Sequence, residues 1–200
     1  MASYNKKYDC IVVGNSPSLV GTNLGDVIDS YKTIIRVNMC NVPALYHDTG
    51  SKTHIWATSL YERAHEKFEM SKSEIDSHIP PNVLNKEVWY RHDASKDYAR
   101  TFYLDDEINY KQIIRPKGFA VTGVMAILTA LQRFKNIDIV GHTLYVESGG
   151  KTKTYSKRSH QENRLIKQRN PQVRQLASFF KKGQINLLNT KESKILFGNN

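Results

Sequence analysis

Gly14, Asn15 and Ser16 stand directly after the apolar run Cys10–Val13 in a chain of 200 residues. Short β-branched runs of this kind form buried strands of parallel sheets. A glycine closing such a strand lets backbone N–H groups approach a bound group, and open α/β sheets take ligands at the carboxyl ends of their strands. The loop Gly14-Asn15-Ser16-Pro17-Ser18 is therefore a candidate nucleotide site, although a plain strand-to-helix turn uses the same residue types. Asn38 follows a second apolar run, Thr33–Val37, and could reach the same crevice; at a strand end it is equally suited to forming a turn. Thr122 and Gly123 precede the apolar stretch 124–134. Thr122 reads as the N-cap of a core helix, whose free N–H groups and partial positive charge suit an anion.

Two histidines could handle protons. His160 lies in Ser159-His160-Gln161-Glu162, a capping-box spacing that makes Glu162 a capping residue in preference to an acid. The positive end of a helix disfavours imidazolium, so a ring in the first turn is held neutral and able to accept a proton. A lone histidine more often serves structure. His142 is a second titratable group, either a phosphate donor or a turn residue.

The elements that must position these groups alternate. Strands are expected at 10–13, 33–37, 54–58, 86–91, 137–141 and 185–188. Helices are expected at 24–30, 60–70, 124–134 and from Ser159 onward, with a loop over 71–85, where Pro80-Pro81 punctuates the chain. Asp105-Asp106-Glu107 reads as an acidic helix start, not as a metal motif. Residues 142–159, bearing glycine and lysine, read as a mobile loop, and the tail after 188 is uninformative. The pattern is α/β: a single Rossmann-like domain over 1–200, with a mainly parallel central sheet flanked by helices.

Composition narrows the classes. A hydrophobic content of 40% supplies a normal core. No apolar run reaches a membrane-span length, and residues 1–8 lack the apolar stretch of a secretory signal. This favours a cytoplasmic location. Two cysteines cannot build a disulfide scaffold or a metal cluster. The formal net charge of +10 favours an anionic partner: a nucleotide sugar, an acidic glycan, an anionic membrane surface or nucleic acid. Nucleic acid is the least favoured, because no basic-aromatic recognition motif accompanies the charge. Many late basic residues, among them Arg164, Lys167, Arg174 and Lys181, also read as a solvated helix face.

The pattern Val12-Val13-Gly14-Asn15-Ser16, Leu19, Gly21, Leu24-Gly25, Ile28-Asp29 and Ile35-Arg36-Val37-Asn38, continued by Asp48-Thr49-Gly50-Ser51-Lys52-Thr53, resembles the large motif of sialyltransferases of glycosyltransferase family 29. The spelling Gly14-Asn15-Ser16-Pro17-Ser18-Leu19 is similar to the bacterial lipooligosaccharide sialyltransferases of family 42. Pro116, Thr122-Gly123, Ala130-Leu131 and Ile137-Asp138-Ile139-Val140-Gly141 resemble the small motif of both families, with Val121 where the animal family has serine. The resemblance implies a variant GT-A fold and transfer of sialic acid from CMP-sialic acid to a glycan hydroxyl. It also implies inversion, with no metal and no cofactor beyond the donor.

In these terms Gly14, Asn15, Ser16 and Asn38 cradle the nucleotide, with Thr122, Gly123 and His142 near the phosphate. Tyr145 and Tyr155 match the phosphate-binding tyrosines of the bacterial family; as an alternative, either ring packs its own loop. His160 is the general base. Cys10 matches a cysteine of the animal family whose partner position falls near Phe134, so both thiols are expected to be free. Animal-type members carry a membrane anchor and stem; neither is read here, so the expectation is either a piece of a longer protein or a soluble microbial or viral form. Alternatives are a CMP-Kdo transferase, a pterin pyrophosphokinase-like enzyme, and a non-enzymatic nucleic-acid-binding protein.

Overall fold

The computed structural model describes residue 4, residues 6–60, 70–103, 106–114, 121–143 and 162–189, and residues 192 and 196; over 162–170 only the backbone is described. The apolar runs read in the sequence form six strands: β1 (Cys10–Val13), β2 (Thr33–Val37), β3 (Ile55–Thr58), β4 (Glu87–Tyr90), β6 (Ile137–Val140) and β7 (Ile185–Leu187). The seventh, β5 (Asn109–Gln112), was not legible. It is a polar edge strand paired only with β4, so no apolar face marks it.

All neighbouring strands are parallel, in the order β5-β4-β3-β2-β1-β6-β7. The chain steps outward from β1 to β5, then returns to lay β6 on the other side of β1. Because parallel crossovers are right-handed, this reversal sends the later helices to the opposite face. On one face, α5 (Thr122–Phe134) and α6 (Glu162–Lys181) pack on Cys10, Val12, Ile35 and Ala57. On the other, α1 (Gly25–Asp29) covers Ile11, Val13 and Ile34, while α3 (Lys72–Ser77) and α4 (Asp93–Arg100) cover Trp56 and Val88. Successive strand residues thus fill opposite cores, which is why β1, β3 and β6 are buried at every position. A short α2 (Tyr46–Thr49) lies between β2 and β3.

Several expectations need correction or qualification. Residues 71–85 are not all loop: α3 starts at Ser71, whose Oγ accepts the Glu74 N–H at 3.2 Å, and it buries Ile75. Asp106 and Glu107 precede strand β5 and start no helix; Asp105 lies outside the described residues. Thr122 is the first helical residue of α5 and not its cap, since Val121 is the N-cap and makes no side-chain cap bond. The tail is informative: Glu192 is fully buried and Leu196 nearly so. Of the expected loop at 142–159, His142 and Thr143 are buried, and 144–159 lie outside the described residues, as do 61–69 of the expected helix at 60–70. Among the described residues no helix is long and apolar enough to cross a membrane.

Cys10 and Cys40 are both free and buried. Burial raises each thiol to about 12, against the opposing pull of Arg133 on Cys10 and Arg36 on Cys40. The thiolate is the reactive form, so both should resist alkylation at pH 8 in the native protein and react rapidly in denaturant. Intact mass before and after iodoacetamide, without reductant, checks this; a linked pair or a fast native adduct contradicts it.

Candidate functional site

The order reversal at β1 and β6 makes a crevice at their carboxyl ends, the place where open α/β sheets bind ligands. The loops leaving the two strands are tied together there. Gly14 N–H donates to Val140 O at 2.8 Å, and Ser16 N–H donates to Gly141 O at 3.0 Å. A side chain on Gly14 would collide with the Gly141 carbonyl, and Gly141 itself has φ +72°. The glycine at 14 is thus required by the approach of two chains. The N–H groups of Gly14, Ser16, Ser18 and Leu19 all have acceptors within the protein.

Asn15 and Asn38 present opposite polarity. The Asn15 amide nitrogen donates to Val37 O at 3.0 Å and Met39 O at 2.8 Å. Carbonyl partners fix that amide's orientation and take both of its donors, so any further bond of the Asn15 side chain is made as an acceptor. Asn38, at φ 52°, accepts the Ser59 N–H on its Oδ1 at 2.8 Å. Its orientation is fixed too, and its amide nitrogen is the group that can donate. The Trp56 indole donates to Asn38 O at 2.7 Å and helps hold this left-handed turn.

The N-terminus of α5 enters from the adjoining face. Thr122 Oγ1 donates to Ser59 Oγ at 2.9 Å, and Ser59 Oγ donates to Asn38 Oδ1 at 3.1 Å. This hydroxyl chain joins the helix start to the ends of β2 and β3. The first turn of a helix carries N–H groups without intrahelical acceptors, and Val121 offers no side-chain cap, so this end keeps its capacity for an anion. Val121 N–H leans on the buried Gln172 of α6 at 3.3 Å.

His142 wedges between the two parts. A Cβ on Gly123 would stand 2.9 Å from its Nδ1, and one on Gly14 would stand 2.9 Å from its Cε1. Both glycines therefore make room for this ring. His142 is 5% exposed, and its Nε2 has no hydrogen-bond partner among the described residues. Burial pulls its pKa from 6.5 down to about 4, against a smaller opposite pull from the Val12 carbonyl. The ring is neutral at physiological pH.

The structure thus brings Gly14, Asn15, Ser16, Asn38, Thr122, Gly123 and His142 to one end of the sheet. Tyr145, Tyr155 and His160 lie outside the described residues. Other motif positions serve the frame. Asp48, fully buried, accepts the N–H groups of Gly21 at 2.7 Å and Asn23 at 2.8 Å. Arg36 donates to Lys52 O and Thr49 O at 2.7 and 2.8 Å. Asp29 accepts the N–H groups of Ser51 and Lys52. Sequence reasoning missed Ser59, Thr143 and Glu192. Ser59 had a signal, since it follows a strand end as Asn15 and Asn38 do. Thr143, whose Oγ1 lies 2.7 Å from Ser16 Oγ, and Glu192 had none.

Comparison with known proteins agrees with the motif reading. Residues 2–85 match the family model described as glycosyltransferase family 29 (sialyltransferase). The resemblance to family 29 holds over that segment. A human CMP-N-acetylneuraminate-β-galactosamide-α-2,3-sialyltransferase 4 is 46% identical over 44 residues, 22% of this chain and 13% of that protein. A β-1,6-galactosyltransferase GALT29A of Arabidopsis thaliana is 38% identical over 53 residues, 26% of this chain and 13% of that protein. The match spans about an eighth of these curated relatives' length. The fold superposes on a mammalian sialyltransferase in complex with Gal-β-1-3GalNAc-ortho-nitrophenol, with a TM-score of 0.54 at 16% identity, covering 90% of this chain and 68% of that one. The α/β fold is thus similar to that of the mammalian sialyltransferase.

His142 makes the site acid-sensitive. Its folded pKa lies below its unfolded value, so the unfolded chain holds more protons between about pH 4 and 6.5. Stability is full above that window and falls as pH drops through it. Between pH 7 and pH 5 the loss from this one ring is on the order of 2 kcal/mol. Urea unfolding at both pH values should show that difference shrinking in His142→Gln. Parallel losses in the two proteins would mean that the ring is not buried neutral.

Proposed function

We propose that this chain is a glycosyltransferase that moves sialic acid from CMP-sialic acid to a glycan hydroxyl. The reading includes inversion at the anomeric carbon, no metal, and His160 as general base. The observation that carries it is convergence. Two motif segments far apart in the chain, within 9–53 and 121–141, meet at the switch point, and residues 2–85 match the family 29 model.

The chemistry fits what the crevice offers. CMP leaves as a phosphate monoester anion, so the protein must stabilise negative charge as the glycosidic bond breaks. The uncapped start of α5 supplies oriented N–H groups for that charge, and phenols of Tyr145 and Tyr155 would add hydrogen bonds. Asn38 can donate to the nucleotide and Asn15 can accept from it, which suits a ribose or base carrying both kinds of group. Inversion needs one displacement, with the acceptor hydroxyl attacking opposite the phosphate. A neutral imidazole at position 160 would take that hydroxyl's proton as the new bond forms. His142 is already buried behind the two glycines, which favours a packing role over proton transfer. The basic excess, +10 in formal charge, supports attraction to an anionic donor and to an anionic membrane surface.

One observation favours a second donor. The Arabidopsis relative carries the name of a galactosyltransferase, so the matched segment does not by itself select the sugar. The deciding experiment titrates CMP calorimetrically and measures transfer from CMP-sialic acid and from a nucleotide-activated galactose. CMP binding with transfer only from CMP-sialic acid is expected. His160→Ala should keep CMP affinity and lose transfer by about 10²–10⁴-fold. Transfer at the wild-type rate in that variant removes His160 from the mechanism.

Turnover should also survive EDTA, because the phosphate charge is met by helix N–H groups and side chains. Complete loss with rescue by Mn²⁺ would place the enzyme in a metal-dependent class.

A further inference from the structure

We infer that Glu192 is a positioning residue of the crevice, whose carboxylate holds the loop after β1 and the loop after β6 together. It resides in the segment beyond β7, far in sequence from both loops. One of its oxygens accepts the Ser18 hydroxyl at 2.6 Å and the Gly141 N–H at 2.8 Å; the other accepts the same N–H at 3.0 Å. The carboxylate is 0% exposed. The segment is anchored before it arrives: Leu188 N–H donates to Ile139 O at 3.0 Å, and Glu192 N–H donates to Asn189 O at 3.0 Å.

A neutral acceptor would satisfy the buried Gly141 N–H. A buried carboxylate costs desolvation and is kept where several charge-assisted hydrogen bonds offset it. Here the donors come from both walls of the crevice. Ser18 lies in the short 3-10 turn Pro17–Leu19, and its N–H donates to Ser16 Oγ, the hydroxyl paired with Thr143. Gly141 immediately precedes His142. Glu192 therefore acts on Ser16, His142 and Thr143 through their neighbours and touches no ligand itself. Its removal should free both walls at once.

The effect on ligand rests on the proposed CMP donor; the effect on the loops does not. The experiment compares wild type, Ser18→Ala, Glu192→Gln and the double variant by hydrogen exchange, CMP titration and donor kinetics. Exchange should rise at 14–19 and 141–143 and stay unchanged at β3 and β4. CMP affinity should fall about 5- to 20-fold in each single variant, with the double variant no weaker than Glu192→Gln. Donor KM should rise while kcat at saturating donor holds. If wild type binds no CMP, the donor assignment fails, and localised loop exchange alone then decides the clamp. Exchange that rises evenly across the sheet, or unchanged CMP affinity in variants with freed loops, overturns it. Ser18→Ala removes one contact from a turn and keeps the test open should Glu192→Gln not fold.

Discussion

The crevice depends on how closely the chain leaving β1 passes the chain leaving β6. Two backbone hydrogen bonds join them, from Gly14 N–H to Val140 O and from Ser16 N–H to Gly141 O. Contact at that range leaves no volume for a side chain at position 14 and sets Gly141 in a left-handed conformation. It also uses the loop's own amides. A glycine turn of this type is commonly a phosphate cradle. Here the N–H groups of Gly14, Ser16, Ser18 and Leu19 are committed to the fold, and the start of α5 adds N–H groups without a side-chain cap.

The same constraint explains where the motif side chains go. A loop with little freedom must be held from behind. Asp48 takes two amides of the chain leaving the first loop, Arg36 takes two carbonyls of the segment before β3, and Asp29 takes the N–H groups of Ser51 and Lys52. All are charged groups in or near the interior, where an unmet bond is costly. A family-like spelling at these positions thus reports the architecture of the site at least as much as its contacts with ligand.

Charge is sorted by depth. The buried ring at the centre, His142, is kept neutral by desolvation. Glu87, on the β4 side, is buried against its charge too, but hydrogen bonds from Trp89, Arg133 and Lys111 outweigh burial and hold its pKa below the usual range. The basic excess of the chain therefore acts at the surface, where it adds a field that favours anions without entering the packing.

Sequence alone determined the fold class and six of seven strands, because a strand buried on both faces must be apolar at nearly every position. It also located the first loop, Asn38 and the start of α5, since strand ends and helix starts are where an α/β sheet meets its ligand. It missed β5, α2, α3 and α4, whose short, mostly polar stretches carry too few apolar residues to show a period. Only the tertiary structure decided which groups of the site remain available to a ligand. Asn15 and Asn38 are the same residue type after the same kind of strand, yet one has its donors committed and the other its acceptor. That difference is set by partners 21 to 24 positions away in the chain, and no local pattern encodes it. Glu192 is the extreme case: an unremarkable polar residue in the sequence, it meets Ser18 at a separation of 174 positions because the parallel order places β7 beyond β6.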